Sequence, residues 1–169
     1  MSEVAGQERI EGAPPERVVR TVAELNELIG QDLTLGPWFE ITQERVDLFA
    51  DVTGDHQYIH VDPERAKQTF FGGTVAHGFL TLSMGGLLGR GSQGIKVDLG
   101  GRLTVNYGLN RVRFPAPVRV GKRVRQRSKL LNVEDIDGRA VQITRQQTIE
   151  IEGEDKPACV AETLSRVYF

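Results

Sequence analysis

Apolar positions recur at helical spacing through the first half of the chain and alternate with polar ones through the second. Thr21-Val22-Ala23-Glu24 is a capping-box pattern in which the Thr hydroxyl and the Glu carboxylate satisfy free amides at a helix start. Val22, Leu25, Leu28 and Ile29 follow on one face, and Gly30 closes the segment. Trp38 to Ile41 reads as a short strand, and Thr42 caps a second helix with Val46, Phe49, Ala50 and Thr53 on one face. Gly54 ends that helix, and Asp62 followed by Pro63 starts a short one reaching about Lys67. Residues 70–73 form a loop, and the most apolar stretch then runs from Thr74 to Gly89. Its apolar residues lie nearly all round a helical projection, so a buried helix is expected, capped by Gly73 or Thr74. Gly78, Gly85 and Gly86 interrupt it at a cost of roughly 1 kcal/mol each relative to Ala. Either a sheet or partner helix packs tightly there, or a ligand approaches the backbone.

After the turn at Gly91 to Gly94 the texture changes to strands. Leu103, Val105, Tyr107 and Leu109 alternate as in a half-buried strand, with a phase shift near Gly108 that predicts a bulge. Pro115 and Pro117 break the run, and residues 118–133 form a long strand. Asp137-Gly138 is a hairpin signal, with Val141, Ile143, Ile149 and Ile151 on the return strand. Glu152-Gly153 turns again, and Ala158 to Tyr168 is the last strand. Helices first and antiparallel strands second predict an α+β fold, one sheet packed on one buried helix. Residues 1–20, polar and broken by Gly12, Pro14 and Pro15, read as a loosely packed arm.

Composition narrows the function classes. A length of 169 residues suits one domain with a short extension. A net charge of -2 and the lack of a binding motif point away from nucleic acid. No apolar run approaches the roughly 20 residues that span a bilayer, and Glu3, Glu8 and Glu11 do not fit a signal peptide. The single Cys159 leaves no internal disulfide and suits a reducing, cytoplasmic setting.

The candidate chemistry sits on one bend, Thr53 to Pro63, where Asp55 and His60 are five residues apart. On an irregular loop the two can converge on one water, sufficient for general acid–base chemistry near neutral pH. His56 reads as a loop residue and His77 as a brace for the loop. No metal is expected: His56, His60 and Asp62 lack a fourth-ligand pattern. Arg119, Arg123, Arg125, Arg127 and Lys129 line one strand face, as a solvated outer face or as an anchor for carrier phosphates. Arg111 and Arg113 compete for the anchoring role.

The run from Ala50 to Pro63, then Ala76-His77-Gly78-Phe79-Leu80-Thr81-Leu82 and the later stretch from Asn106 to Gly121, resembles the MaoC-like dehydratases, or (R)-specific enoyl-CoA hydratases. Gln57 and Tyr58 stand where that family usually has Asn and Pro, a variant similar to the nodulation protein N branch. The match covers residues 36–169 and leaves 1–35 as an N-terminal extension with a short helix. The resemblance implies a hot-dog fold, an antiparallel sheet wrapped around one long buried helix, and a homodimer with sites near the subunit interface. It implies reversible addition of water to trans-2-enoyl thioesters, on coenzyme A or acyl carrier protein, with no cofactor beyond the coenzyme A of the substrate. Asp55 and His60 fall on the family's catalytic pair and Gly78 on its oxyanion-binding glycine. Gln57, Tyr58, His77, Arg111 and Arg113 are the expected substrate-binding residues. The family's supporting serine falls on Gly86, which leaves that role to a residue such as Ser83. A thioesterase and a non-catalytic acyl-thioester-binding regulator are the competing expectations.

Overall fold

The computed structural model describes residues 8–169. The first part of the expected arm, Glu3 included, lies outside the described residues. The remainder is partly ordered by pairing. Strand β1 (Arg17–Val19) runs parallel to β4 (Gln93–Val97), with Val18 opposite Lys96. The capping box of α1 (Val22–Asn26) is formed: the Glu24 amide donates to Thr21 Oγ1 at 3.2 Å and Glu24 Oε2 accepts from the Thr21 amide at 3.1 Å. Strands β2 (Asp32–Leu35) and β3 (Phe39–Glu40) both pair with β6 (Arg123–Ile136). The segment before residue 36 thus supplies two strands of the sheet. Neither β2 nor β4 was expected: Gly94 marks the start of β4 as a turn, and the four residues of β2 stand as a strand through their pairing with β4 and β6.

The sheet has eight strands in the order β1-β4-β2-β6-β7-β8-β5, with β3 beside β6. Its centre is β6, β7 (Ala140–Ile151) and β8 (Cys159–Tyr168), antiparallel throughout. The β6–β7 hairpin turns at Asp137 and Gly138, both at positive φ (53° and 66°) as a tight hairpin turn requires. β5 (Leu103–Arg113) carries the expected irregularity, a register shift between Asn106 and Gly108. The expected buried face is instead exposed, with Leu103, Tyr107 and Leu109 at 57%, 54% and 47%, because β5 is the edge strand beyond β8. The expected strand start at residue 118 also moves: residues 118–120 bridge to the segment before the central helix, and β6 begins at Arg123.

The central helical element starts at Gly78, four residues later than expected, as α5 (Gly78–Ser83) and α6 (Gly85–Leu88), meeting at Met84. Residues 74–76 are held extended instead. The Ala76 amide donates to the Val118 carbonyl at 2.8 Å and the Val120 amide to the Thr74 carbonyl at 3.0 Å. Leu80, Met84 and Leu88 pack with Val124, Ile149 and Ile151 in one apolar cluster. A second cluster joins Val19, Leu25, Leu33, Ile95, Leu130 and Ile143. Each fully buried side chain of this size contributes about 1.5–3 kcal/mol. The helix is not apolar-covered all round. Phe79, Ser83 and Gly86 form an open face, with Phe79 69% exposed.

The glycines divide accordingly. A methyl on Gly85 would come within 3.3 Å of Gln126 Oε1, a close approach from the sheet, whereas one on Gly86 meets nothing within 4 Å. Gly86→Ala is therefore expected to raise stability by about 1 kcal/mol through helix propensity alone. A thermal melt reads this as a higher Tm, and a lower Tm would mean that Gly86 is needed as it is.

Candidate active site

Three local signals build the bend. Helix α2 (Gln43–Thr53) is capped by Thr42, whose hydroxyl accepts from the Arg45 amide at 3.3 Å. Gly54 ends it at φ 76°, where a side chain would be strained, and turns the chain toward Asp55. A single turn, α3 (Tyr58–Val61), stands in place of the expected loop and presents His60 inward. Asp62 then accepts from the Arg65 amide at 3.0 Å, and Pro63 opens α4 (Pro63–Ala66).

His60 is buried, and its Nδ1 lies 2.6 Å from the Val75 carbonyl oxygen. A carbonyl only accepts, so Nδ1 carries the proton and Nε2 of the neutral ring is left with a bare lone pair. Burial pushes the His60 pKa below its ordinary 6.5; the bond to Val75 and the nearby Asp55 charge oppose this without reversing it. The ring is therefore an unprotonated base at neutral pH. Gln43 fixes the turn from behind: its Nε2 donates to the His60 carbonyl at 2.7 Å and its Oε1 accepts from Thr74 Oγ1 at 2.6 Å.

His77 joins from the other side. Its ring stacks on His60 with centroids 3.7 Å apart, and its Nε2 donates to the Asp55 main-chain carbonyl at 2.9 Å. Its Nδ1 is buried without a protein partner. The Asp55 carboxylate is half exposed, 4.0 Å from His77 Nε2, and accepts from the Gln57 amide at 3.4 Å. Asp55, His60 and His77 bring one ligand atom each to within 4.8 Å of one another. A metal is one conceivable occupant of such a set. His60 Nδ1 is taken by the Val75 carbonyl and His77 Nε2 by the Asp55 carbonyl, so each ring keeps one nitrogen for an occupant, and a carboxylate beside such a nitrogen suits a hydrogen-bonded water.

The helix α5 begins beside this cluster. Its first intrahelical bond is from the Thr81 amide to the His77 carbonyl, so the N–H groups of Gly78, Phe79 and Leu80 precede the ladder. They supply donors and partial positive charge beside the acid and the imidazoles. The Phe114 ring covers Gly78, where a Cβ would lie only 3.0–3.2 Å from three ring carbons.

The other expected site residues scatter. Gln57 is exposed at the start of α3, and Tyr58 is half-buried with the Arg65 guanidinium 4.3 Å over its ring. Arg111 and Arg113 lie on the edge strand β5, Arg111 near Glu162 at 3.9 Å and Arg113 bonded to the Val112 carbonyl. His56 faces away and bonds Asp51 at 2.9 Å. The arginine row on β6 is a neutralised outer face. Arg125 and Arg127 share Glu150 at 2.6 and 2.8 Å, Arg127 also meets Asp32, and Arg123 pairs with Glu152. Burial alone would raise the Glu150 carboxyl, but the two arginines outweigh it and hold it below the usual range. Sequence reasoning missed Gln43, which reads as an ordinary surface residue of a helix start.

An eight-stranded antiparallel-dominated sheet packed on one helical core, with an acid and two imidazoles at that helix's amino end, is an α+β hot-dog fold. Residues 24–151 match the family model described as MaoC like domain, and the chain belongs to that family. It is 53% identical over 150 residues to 3-hydroxyacyl-thioester dehydratase Z of Mycobacterium tuberculosis, covering 89% of this chain and 97% of the relative. Nodulation protein N of Rhizobium leguminosarum is 42% identical over 150 residues, covering 88% and 92%. The structure of the (R)-hydratase from A. caviae involved in PHA biosynthesis superposes with a TM-score of 0.63 at 25% identity, over 82% of this chain and 96% of that one. No helix among the described residues is long and apolar enough to cross a membrane.

Proposed function

We propose that this protein is a hydro-lyase, an (R)-specific enoyl-CoA hydratase and 3-hydroxyacyl-thioester dehydratase. The observation that carries this reading is an Asp55 carboxylate oxygen and a His60 ring nitrogen within 4.8 Å of each other, beside the amino end of α5. Water is a weak nucleophile and needs a base at the moment of attack. The pair holds the water and takes its proton as oxygen bonds to C3. The electrons of the C2–C3 double bond flow to the thioester oxygen, where the Gly78 amide donates a hydrogen bond. The pair then returns a proton to C2, and dehydration is the same path reversed. His77 positions Asp55 through the main-chain bond and backs the His60 ring. The reaction moves only the elements of water, so no cofactor is required beyond the coenzyme A or acyl carrier protein that carries the substrate.

Gln57, Tyr58 and the exposed Arg111 and Arg113 are assigned to the carrier side of the substrate. Arg113 adjoins Phe114, whose ring covers Gly78. A homodimer is supported by the eleven-residue edge strand β5 with Leu103, Tyr107 and Leu109 exposed, together with the open face at Phe79. A cytoplasmic setting fits the single buried Cys159, whose thiol burial pushes up to about 11.

The test is to mix the protein with trans-2-enoyl-CoA and follow the conjugated thioester absorbance and free thiol together. Loss of absorbance without thiol, giving the (R)-3-hydroxyacyl product, is expected. Thiol release would mean a thioesterase. Binding without turnover, surviving in Asp55→Asn, would mean a regulator. The depressed His60 pKa also sets a pH expectation. The acid limb of kcat/KM should fall below pH 6.5, because the ring stays neutral there. The unfolded chain takes the proton first, so stability is full above 6.5 and lost as pH drops toward the folded value. An acid limb above 6.5 would contradict a buried neutral base.

A further inference from the structure

The inner face of the sheet is not apolar throughout. Along β7 the inward positions run Ile151, Ile149, Gln147, Arg145, Ile143 and Val141, two apolar pairs separated by an amide and a guanidinium. The neighbouring strands match. Gln126 and Ser128 lie between Val124 and Leu130 on β6, and Thr163 and Ser165 between Ala161 and Val167 on β8. A polar band therefore separates the two apolar clusters. A cavity of about 520 Å³ opens on it, walled by Leu82, Leu109, Ile149 and Leu164 and ending at Arg145, Gln126 and Gln147. Arg145 also lines the two cavities adjoining it.

Arg145 is a cation without a counter-charge. Its one side-chain hydrogen bond among the described residues is from Nη1 to Ser165 Oγ at 3.0 Å, and no carboxylate there lies within 4.0 Å. Burial pushes its guanidinium below the ordinary value. Asp98, on the wall of a neighbouring cavity, is bonded to Arg20 at 3.1 Å. The amide oxygens of Gln126 and Gln147 are likewise buried without partners, and amide rotation would turn NH₂ donors to the same space. Isolated polar groups and charges of this kind are costly unless something pairs with them.

The cavity begins one helical turn beyond the amide assigned to the thioester oxygen: Leu82, its first lining residue on α5, is four residues or about 6 Å along the axis from Gly78. An acyl chain gripped at Gly78 would run past Leu82 and Ile149 and end at the guanidinium. Resting on the hydratase reading above, we infer that the preferred acyl chain carries a carboxylate at its far end, and that Arg145 binds it. The apolar wall takes the methylenes, and the guanidinium and the two amides take the terminal group, a bidentate pairing that suits Arg.

The experiment compares trans-2-enoyl-CoAs matched in carbon count, one series ending in methyl and one in carboxylate, on wild type, Arg145→Met and Ser165→Ala. Wild type is expected to favour the carboxylate-ended chain by about tenfold or more in kcat/KM, the worth of one charge-assisted bond. Arg145→Met should lose that preference, its kcat/KM falling far more on the carboxylate-ended chain than on the methyl-ended one, and should melt no lower than wild type because it removes a half-buried charge that no carboxylate pairs. Ser165→Ala should weaken the preference without abolishing it. Equal use of both series by wild type, or a preference retained in Arg145→Met, would overturn the assignment. Binding of the saturated acyl-CoAs, with and without the terminal carboxylate, decides it separately. If neither enoyl series turns over, the hydratase reading fails, yet selective binding lost in Arg145→Met still supports Arg145 as the anion site, and unselective binding rejects it.

Discussion

Replacing His60 with alanine is expected to lower kcat for enoyl-CoA hydration by about 10³-fold, within the range a positioned general base contributes. The reason is specific to one atom. Nδ1 is committed to the Val75 carbonyl, so Nε2 is the ring nitrogen left to receive a proton. Removing the ring also leaves that carbonyl unsatisfied, at a cost of about 1–3 kcal/mol in stability. A loss of activity could thus be confused with a loss of fold. His60→Asn separates the two: its amide nitrogen stands where Nδ1 stood and can still donate to Val75, but it has no basic nitrogen. It should melt closer to wild type and be nearly as inactive as the alanine variant. Steady-state kinetics beside thermal melts make the comparison, and His60→Asn activity within about threefold of wild type would remove His60 from the proton transfer.

The largest expected effect on stability comes from a position far from the bend. The Gly36 amide donates to the Gln126 carbonyl at 2.8 Å. A Cβ there would overlap the Leu88 carbonyl oxygen and sit 3.5 Å from the Gln126 carbonyl oxygen. Both neighbours are main chain and cannot rotate aside. Gly36→Ala must push the end of α6 outward and draw Leu88, now only 2% exposed, away from Met84 and Val124. Overpacking of this kind costs about 3 kcal/mol, or a fall in Tm of about 10 °C for a chain of this size. A thermal melt checks it, and the contrast with Gly86→Ala is direct: a methyl pressed onto the end of α6 from Gly36 destabilises, whereas one added on α6 itself at Gly86, where space is open, stabilises. A Tm within about two degrees of wild type would show that the helix end slides freely over β2.

What could be read from sequence follows the range of the interaction. The Thr42 cap, the Gly54 stop, the Asp62-Pro63 start and the Asp137-Gly138 turn are all local, and each stands where it was expected. Asp55 and His60 could be paired beforehand because one bend, bounded by Gly54 and Pro63, holds both. His77 reaches them from 22 residues along the chain, and Val75 and Ala76 set its position by bonding to Ile59 and Val118. No periodicity encodes that. The late start of α5 has the same cause: residues 74–76 look helical in composition but spend their backbone groups on residues 59 and 118–120.

Strand order was equally out of reach. Alternation in Leu103 to Leu109 announces a strand but not that it lies at the edge, and the arginine row of β6 is neutral only because the register places Glu150 opposite Arg125. Arg145 and Gln147 share the face of Ile143 and Ile149 by strand alternation, but that this face borders a cavity is set by the fold.

A double-mutant cycle on Asp55 and His60 asks most directly whether one water is served by both groups. Asp55→Asn, His60→Ala and the double variant are assayed for hydration of one trans-2-enoyl-CoA. Residues that act as a unit are strongly non-additive, so the double variant should be no more than a few-fold slower than the worse single one. A double variant slower by the product of the two single losses would mean that the carboxylate and the imidazole work independently.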